Sequence, residues 1–185
     1  EHNLGVPPEM YIVKRRNSTT GWYVRHKDFF GTNGSIVLNT TAATAQTGIF
    51  TTGGTTDTTF PVANDGTVNA SGGTYIAYLF ASLDGISKVG SYTGNGSSQT
   101  INCGFTSGSR FILIKRTDST GDWYVWDTER GIVAGNDPHL SFNTTAVEVT
   151  TDDSIDPDSS GFIVNQVSAT NINVSSAEYI FYAIA

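Results

Sequence analysis

A single cysteine, Cys103, stands among 185 residues, so an internal disulfide and a zinc site of several cysteines are both excluded. Charged side chains make up 15% of the chain, whereas soluble domains usually have about 25%. No apolar run reaches the roughly 18 residues of a membrane-spanning helix, and the N-terminal residues do not have the pattern of a signal peptide. We therefore expect no membrane insertion, and a buried, unreactive Cys103.

Residues that favour long helices are few, and hydroxyl groups and glycine are abundant instead. The chain contains 26 Thr, 18 Ser and 20 Gly, together with 10 Phe and 8 Tyr. Thr, Tyr and Phe suit a pleated sheet, and Ser, Gly and Asn suit the turns between strands. The composition therefore predicts an all-β fold. The net charge of -7 would repel a phosphate backbone, so no nucleic-acid partner is expected.

The sequence repeats itself at an offset that drifts from 101 to 104 residues. Residues 14–24 align with residues 115–125 without a gap, and seven of these eleven columns are identical, including a Lys-Arg pair and a Trp-Tyr-Val triplet. The block Asn-Thr-Thr-Ala recurs at residues 39–42 and 143–146. A third block, Tyr-Ile-x-Tyr, recurs at residues 75–78 and 179–182. Three blocks in the same order indicate a duplicated module.

The second copy has a leading segment that the first copy lacks. Residues 89–101 contain two short strands around Gly94-Asn95-Gly96, a sequence typical of a β-hairpin turn. The matching segment of the first copy would lie before Glu1. We therefore expect either that the natural chain continues upstream or that a partner chain fills this place.

Short strands alternate with polar turns along both copies, without a helical period. Each copy begins with a hairpin and ends with an apolar closing strand. The hairpins are predicted at residues 10–26 and 111–127, the closing strands at 74–82 and 178–185, shorter strands at 35–39, 60–62, 139–143 and 162–167, and a polar loop at 152–160. We expect two tandem homologous β-sandwich repeats of jelly-roll type, the first at residues 1–84 (N-terminally incomplete) and the second at residues 85–185.

The sequence contains no pattern typical of a catalytic site. The Gly-x-Ser-x-Gly nucleophile elbow, the phosphate-binding loop and the dinucleotide fingerprint do not occur in it. His2, His26 and His139 lie at non-equivalent places in the two copies. No acidic pair stands in a motif that would build a glycosidase cleft. These observations favour a protein that is not an enzyme and needs no cofactor.

Candidate binding residues come from the aromatics and from the loops that differ between the copies. The Trp-Tyr pairs at residues 22–23 and 123–124 recur at equivalent positions and are expected in the core, although aromatic faces can also stack on sugars. Trp126 has Arg25 at its repeat position and is expected to make a surface contact. The loops at residues 29–35 and 128–138 contribute Asn33, Arg130, Asn136 and Asp137 as further candidates.

The densest acidic cluster consists of Asp152, Asp153, Asp156 and Asp158. Several oxygens from one short loop are what Ca²⁺ requires, although this spacing does not match an EF-hand. A calcium site and a solvated polar turn are the two interpretations of this cluster.

Several of these blocks resemble a repeated domain of uncharacterised function that occurs in virion proteins of marine bacteriophages, notably cyanophages. The most specific are Tyr92-Thr93-Gly94-Asn95-Gly96 and the Lys-Arg to Trp-Tyr-Val spacing, and residues 4–15, 38–42 and 75–80 also take part. The resemblance covers nearly the whole chain. It is weaker at residues 106–110, where the family usually has a Gly-x-x-Pro turn. It implies a role in the particle and offers no catalytic residue.

What the resemblance implies is a phage virion structural protein at the particle surface, most simply a tail fibre or appendage module for assembly or host attachment. A capsid fibre or decoration protein is a second hypothesis, and a carbohydrate-binding lectin or depolymerase domain is a third. The expected partners are other virion proteins, further copies of this chain in a symmetric oligomer with a trimer favoured, and a host-surface glycan or receptor.

Overall fold

The computed structural model describes residues 1–29, 34–43, 46–51 and 53–185. Over these residues the chain is nearly all-β, as the composition predicts, with three antiparallel sheets and one single-turn helix. The strands divide between two compact units, unit 1 (Glu1–Ala81) and unit 2 (Ser82–Ala185). No helix within the described ranges is long and apolar enough to cross a membrane.

Unit 1 is built on one four-stranded antiparallel sheet. Its elements are β1 (Met10–Arg15), β2 (Trp22–His26), β3 (Ile36–Val37), α1 (Gly66–Asn69) and β4 (Tyr75–Phe80), with the strands in the order β3-β2-β1-β4. Alternate residues of β1 point into the core, where Tyr11 and Val13 pack with Phe50. The predicted hairpin of β1 and β2 is confirmed, with Lys14 opposite Trp22.

The layer that covers the core face of this sheet is irregular. Loops and α1 contribute its buried side chains, among them Ile49, Phe50 and Val68. The strand predicted at residues 60–62 does not form, because Pro61 at its centre has no N–H to give to a ladder. Within its described residues, unit 1 therefore has one sheet and not the two that the predicted sandwich requires.

Unit 2 contains two sheets around one core. Its strands are β5 (Ser87–Thr93), β6 (Gln99–Asn102), β7 (Phe111–Arg116), β8 (Trp123–Asp127), β9 (Leu140–Ser141), β10 (Ile155–Asp158), β11 (Gly161–Val164) and β12 (Glu178–Ile184). Five form an antiparallel sheet in the order β5-β12-β7-β8-β9, and three form a second in the order β10-β11-β6. Phe162 of β11 meets Phe181 of β12 edge to face, with ring centroids 5.5 Å apart. Unit 2 is therefore β-sandwich-like, as expected.

The Gly94-Asn95-Gly96 turn does not close a hairpin, contrary to expectation. β5 pairs with β12 and β6 pairs with β11, so the turn carries the chain from one sheet to the other. The Asn173 side chain anchors it by accepting a hydrogen bond from the Asn95 amide at 2.9 Å. A Cβ on Gly94 would collide with the Val174 carbonyl oxygen, so this crossing requires glycine.

The predicted polar loop at residues 152–160 contains the strand β10. β10 lies at the edge of the three-stranded sheet, where it pairs with β11. Its Ile155 is buried in the core and its Pro157 is exposed. Proline is tolerated in an edge strand because some edge N–H groups give no ladder bond. The prediction failed here because Asp and Pro are depleted in strands.

The main sheets of the two units share one strand order and one register. The order β3-β2-β1-β4 corresponds to β9-β8-β7-β12. Lys14 of β1 lies opposite Ile76 of β4, and Lys115 of β7 lies opposite Ile180 of β12. Positions in the two sheets can therefore be compared pair by pair.

Candidate functional site

Arg25 of β2 and Trp126 of β8 occupy matching positions on the core faces of their sheets. Arg25 lies opposite Tyr11, and Trp126 lies opposite Ile112. Cross-strand partners project from the same face of a sheet, and both Tyr11 and Ile112 belong to the core of their unit. Unit 1 thus has a guanidinium group at the position where unit 2 has an indole.

In unit 2 the indole fills the interior. Trp126 is 0% exposed and packs against the His139 ring, with centroids 5.3 Å apart. Its Nε1 has no hydrogen-bond partner among the residues that the structure describes. The predicted surface position of Trp126 is wrong, because its side chain projects from β8 into the core between the two sheets of unit 2.

In unit 1 a cleft of about 210 Å³ lies at the matching position. Arg25 and Tyr11 contribute to its wall, together with Pro7, Pro8, Glu9, Lys27 and Thr55. Drug-sized ligands occupy sites of about 300–1,000 Å³, so this cleft suits a single ring or a small charged group. Arg25 and Tyr11 are not among the binding residues predicted from the sequence. The sequence does contain a signal for this place, because Arg25 aligns with Trp126 in the repeat.

The positive charges in this cleft are unequally compensated. Lys27 is neutralised by an ion pair in which its Nζ lies 2.8 Å from Glu9 Oε1. Arg25 takes part in none of the ion pairs seen among the described residues, and its Nη1 donates long hydrogen bonds of 3.3 Å to the His26 carbonyl and 3.4 Å to the Phe29 carbonyl. The half-buried guanidinium therefore leaves the cleft with a net positive charge.

Tyr11 places a neutral hydroxyl beside this charge. Burial raises the pKa of Tyr11 to about 12, while the charge and hydrogen bond of Arg25 act in the opposite direction. The hydroxyl donates to the Pro61 carbonyl at 3.3 Å. At neutral pH the phenol stays protonated, and its oxygen can still accept a hydrogen bond.

The binding residues predicted in the 128–138 loop do not form one surface. Arg130 makes ion pairs with Asp127 and, at 2.9 Å, with Glu148, so its charge is compensated within unit 2. Asn136 is exposed, whereas Asp137 is 0% exposed. The fifth candidate, Asn33, lies outside the described residues.

The side chain of Asp137 links its own loop to the start of β10. Its Oδ1 accepts from the Val133 amide and its Oδ2 from the Ile155 amide, each at 3.1 Å. Burial raises the pKa of this carboxyl to about 7, and the charges of Asp153 and Asp156 act in the same direction. An enclosed carboxyl with both oxygens engaged is not placed to contact a ligand.

The calcium candidates accept hydrogen bonds from neighbouring side chains. Asp152 accepts from Ser154 at 2.6 Å, Asp158 accepts from Ser160 at 2.6 Å, and the Asn165 amide donates to both Asp153 and Asp156, at 3.0 and 2.8 Å. Within the described ranges, no three His, Cys, Asp or Glu side chains converge on a point where a metal ion could lie. The cluster is not one solvated turn, because Asp156 and Asp158 lie on the edge strand β10.

Comparison with known proteins identifies a family whose function is not known. A family model described as a domain of unknown function (DUF7483) matches residues 1–185. No curated protein and no solved structure matches the chain.

Proposed function

The chain belongs to the DUF7483 family of domains of unknown function, and we propose that it is a non-enzymatic module of a bacteriophage particle, most simply of a tail fibre or another appendage. The support comes from the hydroxyl- and glycine-rich all-β chain and from the resemblance of its repeated blocks to phage virion proteins. In this role the chain lies at the particle surface, where it contacts other virion proteins and the host.

The proposal includes two copies of one β-sandwich module, joined near residues 84–85. The matching strand orders of the two main sheets support this view, as do the equal registers at Lys14 and Lys115. Unit 1 differs from unit 2 by its irregular covering layer. A duplicated module of this kind can keep one copy for packing and use the other for binding.

The observation that carries a binding role is the uncompensated guanidinium of Arg25 in the unit 1 cleft. A carboxylate on a sugar ring is the group that this cleft fits best, because a guanidinium binds a carboxylate through two parallel hydrogen bonds. The Thr55 hydroxyl can pair with a sugar hydroxyl, and the exposed Pro7 offers an apolar ring face. The ligand class is therefore an acidic glycan of the host surface.

A matched pair of sugars tests this role. We expect galacturonate to bind the 185-residue chain in isothermal titration, and galactose, which lacks the carboxylate, to bind at least about tenfold more weakly, since a charge-assisted hydrogen bond is worth that much. Arg25→Ala should lose the galacturonate binding, and Arg25→Lys should keep part of it.

Arg130→Ala is the control variant, because Arg130 is an exposed arginine whose charge is compensated by Asp127 and Glu148. Its affinity for galacturonate should equal that of the unmodified chain. Equal binding of the two sugars, or an Arg25→Ala variant that binds as before, would show that the cleft does not recognise an acidic sugar.

The place in the particle needs a separate measurement. Gold-labelled antibodies against this chain, applied to purified particles of the phage that encodes it, should decorate the tail or its fibres. Labelling spread over the capsid lattice would overturn the appendage role and favour a decoration protein.

A further inference from the structure

β4 is an edge strand in the sheet of unit 1. β4 pairs with β1 on one side, and no strand among the described residues pairs with its other side. The corresponding strand of unit 2, β12, lies between β7 and β5 and is paired on both sides. The sheet of unit 1 therefore ends one strand earlier than that of unit 2.

Side chains on the two matching strands differ in exposure accordingly. Ile180 of β12 is 2% exposed, whereas Ile76, at the matching position of β4, is 39% exposed. Tyr78 of β4 is 43% exposed. Apolar side chains next to an unpaired backbone edge form the surface that strand addition uses in protein recognition.

The segment before β1 does not lie along this edge. The His2 amide donates to the Thr58 carbonyl at 2.7 Å, and the Glu9 amide donates to the Phe80 carbonyl at 2.8 Å in continuation of the ladder between β1 and β4. After Ala81 the chain enters unit 2, where Leu83 bridges to Ser87 at the start of β5. A strand at the edge of β4 must therefore come from outside the described residues.

In unit 2, β5 shows which types of residue a strand at this position carries. β5 runs antiparallel to β12, with Val89 opposite Tyr182, Gly90 opposite Phe181 and Tyr92 opposite Tyr179. A Cβ at Gly90 would lie 2.7 Å from the Phe181 ring, so a larger residue there would have to displace this ring. In unit 1 the position of Phe181 is taken by Ala77, which is exposed. The edge of β4 thus has space for a larger side chain where β5 has glycine.

We propose that the β4 edge is a docking site for an antiparallel strand of a partner polypeptide with the pattern of β5: an apolar residue, a small to medium-sized residue facing Ala77, a polar residue and an aromatic residue. Backbone hydrogen bonds to β4 give the affinity, and the contacts around Ala77 and Tyr75 give the register. This assembly contact is independent of the acidic-glycan role of the Arg25 cleft.

Two synthetic peptides test the docking site on the full 185-residue chain. The first has the sequence of residues 85–95, and the second has the same sequence with Gly90→Leu. We expect both to bind in isothermal titration and to slow the hydrogen exchange of alternate amides in residues 75–79. Because Ala77 leaves space, the Leu peptide should bind unit 1 at least as tightly as the Gly peptide, whereas the matching edge of β12 in unit 2 is already paired with β5.

The Ala77→Phe variant provides the matched control, because it gives β4 the ring that β12 carries. This variant should still bind the Gly peptide but should bind the Leu peptide about tenfold more weakly, as overpacking predicts. Ala77 is exposed, so the variant should fold. If neither peptide bound, the proposal would be overturned. It would also be overturned if the Leu peptide bound the unmodified chain and the Ala77→Phe variant with equal affinity.

Discussion

At matching positions, single residues give the two units different chemical properties. Arg25 replaces the buried Trp126, and a polar cleft lies where unit 2 has packed aromatic rings. Ala77 replaces Phe181 and leaves space beside β4. In both cases the backbone register is kept, while the size and polarity of the side chain and the elements that surround it differ.

The buried carboxyl of Asp137 should make the stability of unit 2 depend on pH. Its pKa is about 7 in the folded chain and about 4 in an unfolded one. A raised pKa contributes stability that is fully present below pH 4 and is lost as the pH rises through 7. We expect the free energy of unfolding from urea titrations to contain a corresponding decrease on the order of 4 kcal/mol.

Asp137→Asn tests this expectation, since the amide cannot ionise. The difference in unfolding free energy between this variant and the unmodified chain should change with pH between 4 and 7. Asn136→Ala, a substitution of the exposed neighbour, should leave the pH profile as it is. If the free energy of unfolding changed with pH in the same way for the unmodified chain and for Asp137→Asn, the raised pKa of Asp137 would be contradicted.

Among the elements, the two hairpins show how sequence and structure agree. Lys14 and Lys115 each extend from a central strand to the hairpin turn, where Nζ donates to the Thr20 carbonyl at 2.8 Å and to the Gly121 carbonyl at 2.7 Å. Lys115 is 0% exposed, and burial lowers its pKa to about 8. In each hairpin, the lysine of the Lys-Arg pair therefore holds the turn that leads into the Trp-Tyr-Val strand.

We expect Lys115→Ala to destabilise unit 2 by about 2–4 kcal/mol, because it removes both a buried stem and a charged hydrogen bond. Lys14→Ala should cost unit 1 about 1 kcal/mol, since Lys14 is only half-buried. Urea titration followed by tryptophan fluorescence measures both values. Lys115→Met, which keeps most of the stem volume, should recover part of the loss, and equal costs for the two alanine variants would contradict this account.

The strands of the two main sheets were predictable because their apolar runs and hairpin turns are local signals. The strand β10 in the second sheet of unit 2 was not, because it contains Asp156, Pro157 and Asp158, and only its pairing with β11 makes it a strand. The Gly94-Asn95-Gly96 segment has a hairpin sequence but crosses between sheets. The Arg25 cleft depends on which layer covers the sheet, and tertiary packing decides this, not local sequence.

On the scale of the whole molecule, more hydrophobic side chains are buried in unit 2 than in unit 1 among the residues that the structure describes. The core of unit 2 lies between two sheets and includes Phe162, Trp126 and Phe181. The core of unit 1 lies between one sheet and an irregular layer and centres on Tyr11 and Phe50. Stability grows with the apolar area that a unit buries, so unit 1 should be the less stable of the two.

Differential scanning calorimetry should therefore show two transitions, with unit 1 unfolding at the lower temperature. Phe50→Ala should move the lower transition down by about 10 °C or more, and Phe162→Ala should move the upper one by a similar amount, because each removes a buried aromatic side chain. A single transition that both variants shift equally would show that the chain unfolds as one cooperative body.

The position of β12 between β5 and β7 also constrains how the chain can fold during synthesis. β5 is the first strand of unit 2 to leave the ribosome and β12 is the last, yet the two are neighbours in the finished sheet. Until residues 178–184 have emerged, β5 has no partner in that sheet and β7 has only β8. Pairing between such distant segments is slow, and unpaired strand edges on nascent chains are prone to aggregate. During the translation of unit 2 there is therefore an interval in which a chaperone could bind the unpaired strands β5 and β7.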